Sequence, residues 1–495
     1  DKGYHGTSGA TAPSNTGTWC VPPGEGMAAS VEQRFKRTTG LADRRWMLRC
    51  ADQAYENLQK LVEWGYPFPS DEDGGLYIAN LRGPDYMRFI RQRVQKAGVT
   101  ILDHHPILEL LADGNEIAGA AGMARRNGAD FTVHAGSVVL ASGGCAFFER
   151  ILGGTGLTGD GSLFAAEAGA AVSGMEFTGK YTLAPYGSSL NKGLPFRWAT
   201  FYREGGEVLR DQNGDPLMNG IGPNEKQVAK AMLSGPVYAR LDQAEPALQE
   251  WLRRGQPNCF QPYERMGINP FEALFRVDLR YEGTVRGTGG IRIVSSDCAT
   301  GISGLYAAGD AASRENVTGG VSGGGAINAS WAIASGWWAG HGAALHARRR
   351  RAREGERLRP LGTTGLRGGG NADLDLSAAA PLVHGEIAPL AKTYWRTGDA
   401  LEASQVQLEA VWRDLNAATL RQGAEKLRAR EVAAVTASAR WTVAAALLRT
   451  ESRGVHRRQD FPQEDAAQAS RIIVSGLDRV TAVREQLPLE TVQEA

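Results

Sequence analysis

The stretch Gly304-Leu-Tyr-Ala-Ala-Gly309-Asp310 sets an apolar run directly before a glycine and a carboxylate. Such a run predicts a buried strand, and a glycine at its end lets a ligand approach the backbone. The carboxylate of Asp310 can then accept hydrogen bonds from the hydroxyl groups of a sugar or a ribityl chain. The alternative for the same peptide is that Asp310 only caps a helix that follows a buried strand.

Five glycines follow in Gly319-Gly320-Val-Ser-Gly323-Gly324-Gly325, and they lead into a segment from Ala326 to Gly340 that predicts a helix. The first N–H groups of a helix have no partner within it and lie at the positive end of its dipole. Such a start can hold an anion. If the ligand is a flavin, this end can lie against the pyrimidine carbonyl and stabilise the anionic reduced ring.

The composition of the chain excludes several classes of protein. At about 150 residues per domain, its 495 residues predict roughly two to four domains. The 55 Lys and Arg residues nearly balance 54 Asp and Glu, and a net charge of +1 provides no global field for nucleic acid. We find no apolar run near the roughly 18 residues that a membrane span needs, so no transmembrane segment is predicted.

The five cysteines, at positions 20, 50, 145, 259 and 298, are scattered without CxxC spacing. This pattern argues against a disulfide framework and against the ligand spacing of an iron–sulfur or zinc site, so no metal centre is predicted. Such cysteine usage fits a reducing compartment best, and we expect the protein to be cytoplasmic.

The pattern of apolar residues outlines the rest of the chain. Spacings of three and four over residues 43–65 predict an amphipathic helix, and residues 116–142 predict two or three strands. Residues 176–275 carry short mixed segments, with a helix predicted near 225–233. Residues 371–495 are almost wholly helical in pattern.

Several short motifs, in this order and spacing, resemble one family. The resemblance is to the flavoprotein subunits of fumarate reductase and succinate dehydrogenase and to their relative L-aspartate oxidase, and it covers essentially the whole chain. The matching motifs are Leu140-Ala-Ser-Gly-Gly144, Thr158-Gly-Asp-Gly161, Met175-Glu-Phe177, Gly289-Gly-Ile291, Gly304 to Asp310 with the glycine turn, and Thr450-Glu-Ser-Arg-Gly-Val-His456 continuing to Pro462.

The resemblance implies an α/β fold: a doubly wound, Rossmann-like FAD-binding domain with an inserted α+β capping domain and a C-terminal helical domain. We assign residues 1–175 and 276–345 to the FAD-binding domain and 176–275 to the cap. Residues 346–370, rich in arginine and glycine, form a linker, and residues 371–495 form the helical domain.

The family also implies FAD, held by a G-x-G-x-x-G turn and an acidic residue about 20 residues later. Asp1-Lys2-Gly3 resembles the end of the second strand, so we expect Asp1 to bind the ribose and about 30 residues, one βα start, to lie upstream. A histidine that binds FAD covalently in some relatives is replaced by Gly9, and we therefore expect FAD to be non-covalent. The predicted cofactor-binding residues are Asp1, Lys2, Thr7, Ser8, Gly9, Ala10, Thr11, Ser14, Asn15, Ser142, Gly143, Gly144, Thr158, Asp160, Gly309, Asp310, Gly323, Gly324, Gly325, Ala326 and Ile327.

Four positions depart from the dicarboxylate-reducing members of the family. Two substrate histidines are replaced by Tyr181 and Val285, and a substrate arginine is missing from the turn that begins at Val321. The arginine that donates a proton in the family is replaced by Glu225 or Lys226. Fumarate or succinate is therefore not implied as the substrate.

The candidates for the catalytic work are Arg286, Tyr181, Glu225 and Lys226. Arg286 is the strongest, because an arginine beside Gly287 to Gly290 can clamp a substrate anion or stabilise developing charge. Each candidate also has a structural alternative: a salt-bridged arginine, a packed cap aromatic for Tyr181, and an exposed helix start for Glu225 and Lys226.

The sequence thus predicts an FAD-dependent oxidoreductase that transfers hydride between flavin N5 and a small, anionic substrate. Its electrons would pass to a separate electron-transfer partner, a diffusible acceptor or oxygen. The alternatives are an adenylylsulfate-reductase-like or aspartate-oxidase-like flavoenzyme, or a non-catalytic FAD-binding scaffold.

Overall fold

The computed structural model describes residues 1–70, 74–189, 208–210, 213–215, 225–242, 244–255, 260, 263–350, 358–367, 374–418 and 423–485. Its first elements are β1 (Asn15–Gly17), α1 (Glu25–Phe35), α2 (Arg44–Glu63), β2 (Asn80–Arg82), α3 (Gly83–Lys96), β3 (Ile107–Asp113), β4 (Glu116–Met123), β5 (Asp130–His134), β6 (Val138–Leu140), α4 (Asp160–Glu167) and β7 (Val172–Ser173). The amphipathic helix predicted over 43–65 is confirmed as α2, which the Asp43 carboxylate caps. The strands predicted over 116–142 are confirmed as β4, β5 and β6.

The next part of the chain contains four strands and two helices. In chain order they are β8 (Tyr181–Pro185), β9 (Val208–Arg210), α5 (Glu225–Ser234), β10 (Val237–Arg240), α6 (Pro246–Gly255) and β11 (Phe275–Tyr281). The four strands form an antiparallel sheet in the order β8-β11-β10-β9. Helix α5 confirms the helix predicted near 225–233, whereas α6 was not predicted. Strand β11 continues past residue 275 to Tyr281, so the sheet extends beyond the boundary expected for the cap.

The chain then returns to the first domain through α7 (Gly283–Arg286), β12 (Gly290–Ile291), β13 (Leu305–Ala307), a 3-10 turn (Gly309–Ala311), α8 (Glu315–Thr318) and α9 (Gly324–Arg349). The run that ends at Asp310 is confirmed as the buried strand β13. It pairs in parallel with β6, with Leu305 opposite Val138 and Ala307 opposite Leu140. Because the carboxyl ends of parallel strands meet at one edge, Ser142-Gly143-Gly144 and Gly309-Asp310 follow at the same edge of this pair.

After β14 (Arg359–Pro360), the chain forms α10 (Leu376–Ile387), α11 (Leu390–Thr393), α12 (Gly398–Ala417), α13 (Gly423–Leu448), a 3-10 turn (Ala466–Gln468), β15 (Arg471–Ser475) and β16 (Thr481–Glu485). The expectation of an almost wholly helical segment is therefore wrong for its last part. β15 and β16 form a hairpin, and β15 pairs with β7 of the first domain. This pairing connects β15 to β7, about 300 residues earlier in the chain.

Helix α13 is the exception to the expectation that no stretch is long and apolar enough to cross a membrane. An 18-residue window in it reaches a mean hydropathy of 1.2. Within the protein, 78% of that window is buried, and its buried residues include Val435, Trp441 and Val443. Burial of this kind is typical of a core helix, and we find that α13 packs along α12.

Candidate active site

The glycine turn after β6 is tied to the short helix α7. A Cβ atom at Gly144 would lie 2.8 Å from both the hydroxyl oxygen of Thr284 and the backbone nitrogen of Val285, so only glycine fits there. The N–H of Cys145 donates a hydrogen bond of 2.7 Å to the Thr284 hydroxyl, and the N–H of Thr284 donates to the Cys145 carbonyl at 3.1 Å. The turn and the loop that contains Arg286 therefore form one unit.

The segment predicted to follow the diphosphate lies against the start of α9. A Cβ atom at Gly325 would contact the methyl group of Thr16 at 3.5 Å, and the N–H of Trp19 donates to the Ser330 hydroxyl at 2.9 Å. On its other side, Ala10 packs against the apolar cluster that includes Val285. The structure thus brings the predicted cofactor-binding segments around one region at the edge of β6 and β13.

Asp310 is held at this edge by a buried arginine, Arg314, which was not predicted as a site residue. Arg314, which is 1% exposed, donates to Oδ1 of Asp310 and to the carbonyls of Thr284, Val285 and Gly287. The Asp310 side chain is 24% exposed. Opposite charges four residues apart were the only sequence signal for this pair, and that spacing is common on helix surfaces.

Two observations show that a polar ligand fits beside the start of α9. Asn328 is buried, yet neither its amide oxygen nor its amide nitrogen has a hydrogen-bond partner among the residues that the structure describes. Beside Gly9 and Gly324, both with positive φ, a Cβ atom would meet nothing within 4 Å. Since buried amides are nearly always hydrogen-bonded in folded proteins, the side chain of Asn328 is suited to a bound molecule.

Lys2, Thr158 and Asp160 also come together, as a cluster of charged groups. The Lys2 ammonium donates to the Thr158 hydroxyl and the Asp160 carboxylate, each at 2.7 Å, and to the Glu431 carboxylate at 3.1 Å. Burial lowers the pKa of Lys2, but Asp160 and Glu431 outweigh it, so the pKa is raised overall. The ammonium therefore stays charged at this position.

The other residues predicted near the ribose form a second small cluster. The Asp1 carboxylate accepts hydrogen bonds from the N–H of Gly3 at 2.9 Å and from the Ser8 hydroxyl at 3.1 Å. The backbone of Thr7 and of Ser8 turns back to the Tyr4 carbonyl. Ser14 is buried, and the side chain of Asn15 lies outside the described part of the structure.

Arg286 stands at the end of α7 and forms an ion pair with a buried carboxylate. Its Nε lies 3.4 Å from Oε2 of Glu282, which is fully buried, while Arg286 itself is 22% exposed. This Nε is buried and has no hydrogen-bond partner among the described residues, so the two groups interact through their charges. The other oxygen of Glu282 accepts a hydrogen bond of 2.5 Å from the Thr182 hydroxyl on β8. The terminal nitrogens of the guanidinium carry the donors that a ligand could use.

Two separate parts of the chain match known families. Residues 3–329 match the FAD binding domain family, and residues 392–491 match the fumarate reductase flavoprotein C-terminal family. The chain belongs to the FAD-binding domain family. FAD is its cofactor, and the protein is an FAD-dependent oxidoreductase of the fumarate reductase and succinate dehydrogenase flavoprotein type.

Individual relatives agree with this assignment. L-aspartate oxidase of Mycobacterium tuberculosis (strain ATCC 25618 / H37Rv) is 27% identical over 399 residues, which cover 77% of this chain and 68% of the relative. An E. coli quinol fumarate reductase FrdA mutant shares the fold with a TM-score of 0.79 at 18% identity, covering 100% of this chain and 92% of that one. Adenylylsulfate reductase from Archaeoglobus fulgidus does so with a TM-score of 0.72 at 16% identity, covering 100% and 91%.

Tyr181 is placed away from Arg286 in this flavoprotein. It is buried, its hydroxyl donates to the Ala388 carbonyl at 2.8 Å, and its ring contacts those of Tyr281 and Tyr394. Successive side chains of a strand point to opposite faces, so Tyr181 faces away from the Glu282 side when Thr182 faces toward it. The contacts of Tyr181 match the structural alternative, a packed aromatic of the cap.

The two remaining candidates lie at the start of α5. Lys226 is exposed, and the side chain of Glu225 lies outside the described part of the structure. The described contacts do not bring this helix start to Arg286. Arg286 is therefore the candidate that the structure places beside the predicted FAD-binding turn.

The C-terminal motif, residues 450–462, contacts the glycine loop, residues 319–325. The N–H of Val455 donates to the Gly320 carbonyl at 2.9 Å, and Arg453 donates to the Thr39 carbonyl at 2.6 Å. His456 is fully buried, with Nδ1 2.6 Å from the Arg396 guanidinium. Burial and the neighbouring guanidinium groups hold the pKa of His456 well below its ordinary value, so this histidine is neutral.

A cleft of about 940 Å³ lies elsewhere, between α10 and the loop that contains Phe148. In its wall, the Glu149 carboxylate pairs with Arg280 and with His384, each at 3.2 Å. None of the predicted cofactor-binding or catalytic residues lines this cleft. Although this cleft is large, its lining does not match the predicted catalytic site.

Proposed function

We propose that this flavoprotein transfers hydride between a small, anionic substrate and N5 of FAD, with Arg286 binding the anion. The observation that carries the proposal is the position of Arg286. It is partly exposed and lies two residues after Thr284, which is hydrogen-bonded to Cys145 directly after the Ser142–Gly144 turn. Two relatives carry the names L-aspartate oxidase and fumarate reductase, and both aspartate and fumarate are carboxylates. These names support a carboxylate as the anionic group of the substrate. Aspartate-oxidase-like or adenylylsulfate-reductase-like chemistry remains the alternative within this class.

The residues that would hold FAD are those that surround the start of α9. Asp310 would accept hydrogen bonds from the ribityl hydroxyls, and the N–H of Gly325 would be a donor to the flavin, since the N–H of Gly324 already donates to the Ser322 hydroxyl at 3.2 Å. Asn328 would supply a donor and an acceptor to the cofactor. When bound, FAD supplies a two-electron, hydride-accepting centre. We propose non-covalent binding, because Gly9 has no side chain to form a bond.

The Arg286 guanidinium would bind the substrate carboxylate and favour charge that develops on it during hydride transfer. The ion pair with Glu282 attracts this guanidinium, and Thr182 donates a hydrogen bond to Glu282. We propose that the ion pair limits the positions of the guanidinium before substrate arrives, so less side-chain entropy is lost on binding. Lys226 remains a second candidate because it is exposed on the proposed cap.

The domains proposed for this function are the FAD-binding domain (1–175 and 276–345), the cap (176–275), the linker (346–370) and the helical domain (371–495). The antiparallel sheet of β8 to β11 supports a separate cap. A separate electron-transfer partner is proposed because the fold is that of a quinol fumarate reductase flavoprotein. The free thiols of Cys20, Cys50, Cys145 and Cys298 support a cytoplasmic location.

The test compares Arg286→Ala with Arg126→Ala, which removes an exposed arginine from a loop far along the chain from the site. Each purified variant is loaded with FAD, its flavin content is measured, and flavin reduction by a panel of small carboxylates is followed by absorbance. We expect Arg286→Ala to keep its flavin and to lose roughly 100-fold in the rate of reduction. Equal rates in the two variants would contradict the role of Arg286, and loss of flavin with loss of rate would show a structural one.

A further inference from the structure

Each of the three nitrogens of the buried Arg314 guanidinium donates a hydrogen bond. Nε donates to the Gly287 carbonyl at 2.8 Å, and one terminal nitrogen donates to the carbonyls of Thr284 at 2.8 Å and Val285 at 2.9 Å. The other terminal nitrogen forms the ion pair with Oδ1 of Asp310. One rigid, planar group thus joins the carboxylate at the end of β13 to three carbonyls around Arg286.

We propose that Arg314 is a positioning residue that couples FAD binding at Asp310 to the orientation of the loop carrying Arg286. The inference rests on the proposed function, because it gives Asp310 the cofactor and Arg286 the substrate. Arg314 itself is 1% exposed, so we assign it a role through Asp310 and the loop, without contact to either ligand. Its role is to make the two subsites respond to each other.

The energetic reason lies in the burial of the charge. A buried cation is tolerated only when its partners compensate for lost hydration, and removing one partner leaves an uncompensated charge. Among the residues that the structure describes, Asp310 is the charged partner of Arg314, and it is the more exposed of the pair. A ligand that fixes Asp310 therefore strengthens the whole set of hydrogen bonds, including those to the carbonyls of Thr284 and Val285.

The same loop is fastened on its other side to the flavin-facing turn. Thr284 exchanges two hydrogen bonds with Cys145, directly after Gly144. The carbonyls held by Arg314 lie immediately before and after Arg286. Ordering of this loop by FAD would therefore fix the Arg286 backbone, and by linkage a substrate anion would strengthen FAD binding.

The substitution Arg314→Lys keeps the positive charge of the side chain but removes the planar guanidinium. The Lys ammonium is a point charge that can pair with Asp310, but it lacks the planar fork that reaches three carbonyls. We expect Arg314→Lys to keep FAD affinity within about threefold and to lose the effect of FAD on the loop. Arg314→Met, which removes the charge as well, should weaken FAD binding by about tenfold or more.

The experiment measures backbone hydrogen exchange in residues 283–288 and in residues 319–327, with and without saturating FAD. FAD affinity is measured in parallel from flavin fluorescence. In the wild-type protein FAD should slow exchange in both segments. In Arg314→Lys it should slow exchange only in 319–327, while 283–288 should exchange about tenfold faster than in the wild type.

Asp310→Asn provides a second variant that acts from the exposed side of the pair. The described hydrogen bonds and ion pairs connect the Asp310 side chain to residues 284–287 only through Arg314, so we expect faster exchange there to pass through Arg314. If Arg314→Lys and Asp310→Asn both protect 283–288 like the wild type on FAD addition, the coupling is wrong. If the wild-type protein itself binds no FAD, the failure lies in the proposed function instead.

Discussion

At the scale of single residues, the site depends on glycines at positions where no side chain fits. Gly144 is the clearest example, because the backbone of α7 occupies the space of its missing Cβ atom. The sequence predicted Gly144 as a ligand-facing residue. The structure adds a second reason for glycine, the close approach of the loop that contains Arg286.

Gly144→Ala should therefore destabilise the protein and weaken FAD binding. The added methyl group meets Thr284 and Val285 at 2.8 Å, and relief of such overpacking typically costs about 1–3 kcal/mol. The free energy of unfolding in urea and the dissociation constant of FAD measure the two effects. Gly26→Ala is the control, since a Cβ there meets nothing within 4 Å and alanine favours helix α1.

His456 predicts a specific pH dependence of stability. Burial and the guanidinium groups of Arg396 and Arg449 hold its pKa well below the unfolded value of about 6.5. Between these two pKa values the unfolded chain binds a proton that the native protein does not, so stability is lost as pH falls below about 6.5. The slope from this one group approaches about 1.4 kcal/mol per pH unit.

His456→Gln keeps a polar side chain but cannot take up that proton. We expect the difference in unfolding free energy between the wild type and this variant to shrink when urea unfolding is repeated at lower pH. His134→Gln, on an exposed strand, serves as the control. A difference that stays constant with pH would show that His456 does not titrate in this way.

Tyr181 shows how strand register bears on a residue that was predicted from an alignment. Alignment of the Met175-Glu-Phe177 motif placed it at a substrate position, but register decides which face of a strand a residue occupies. In β8 the neighbouring Thr182 reaches Glu282, while Tyr181 packs into the core. Arg314 and Asn328 were missed for a related reason, because a lone arginine or asparagine carries no pattern in sequence.

At the scale of elements, periodic and glycine-bounded segments were predictable and short irregular ones were not. Helix α2 and strand β13 follow directly from apolar spacing. The hairpin of β15 and β16 was not predicted, because strand β15 is short and pairs with β7, far away in sequence. Tertiary pairing of that kind leaves no local signal.

The contact between the C-terminal motif and the glycine loop predicts an effect at a distance. A Cβ atom at Gly454 would lie 1.9 Å from the Gly320 carbonyl oxygen, and Gly454 has a φ of +59°. Gly454→Ala must therefore push the glycine loop away from its position before α9. We expect about a tenfold or larger loss of FAD affinity, although Gly454 is on the opposite side of that loop.

Fluorescence titration with FAD measures this loss, and Gly385→Ala in α10 is the matched control because a Cβ there meets no atom within 4 Å. Equal FAD affinity in the two variants would show that the helical domain does not support the glycine loop.

At the scale of the whole molecule, buried ion pairs join the proposed helical domain to the start of the proposed cap. Arg449 binds both Glu176 and Glu451 at 2.8 Å, and all three side chains are fully buried. Glu176 is the first residue of the proposed cap, whereas Arg449 and Glu451 belong to the proposed helical domain. These ion pairs connect segments that are far apart in sequence, and neither segment indicates the contact by itself.

We expect bound FAD to be reduced by a small carboxylate that Arg286 binds. To test this, the visible absorbance of the FAD-loaded protein is followed under anaerobic conditions after addition of each carboxylate in a panel that includes aspartate and succinate. The flavin band should bleach with at least one of them, and much more slowly in Arg286→Ala at equal flavin content. A protein that retains FAD but is bleached by no carboxylate, while an artificial reductant bleaches it readily, would contradict the proposed role of Arg286.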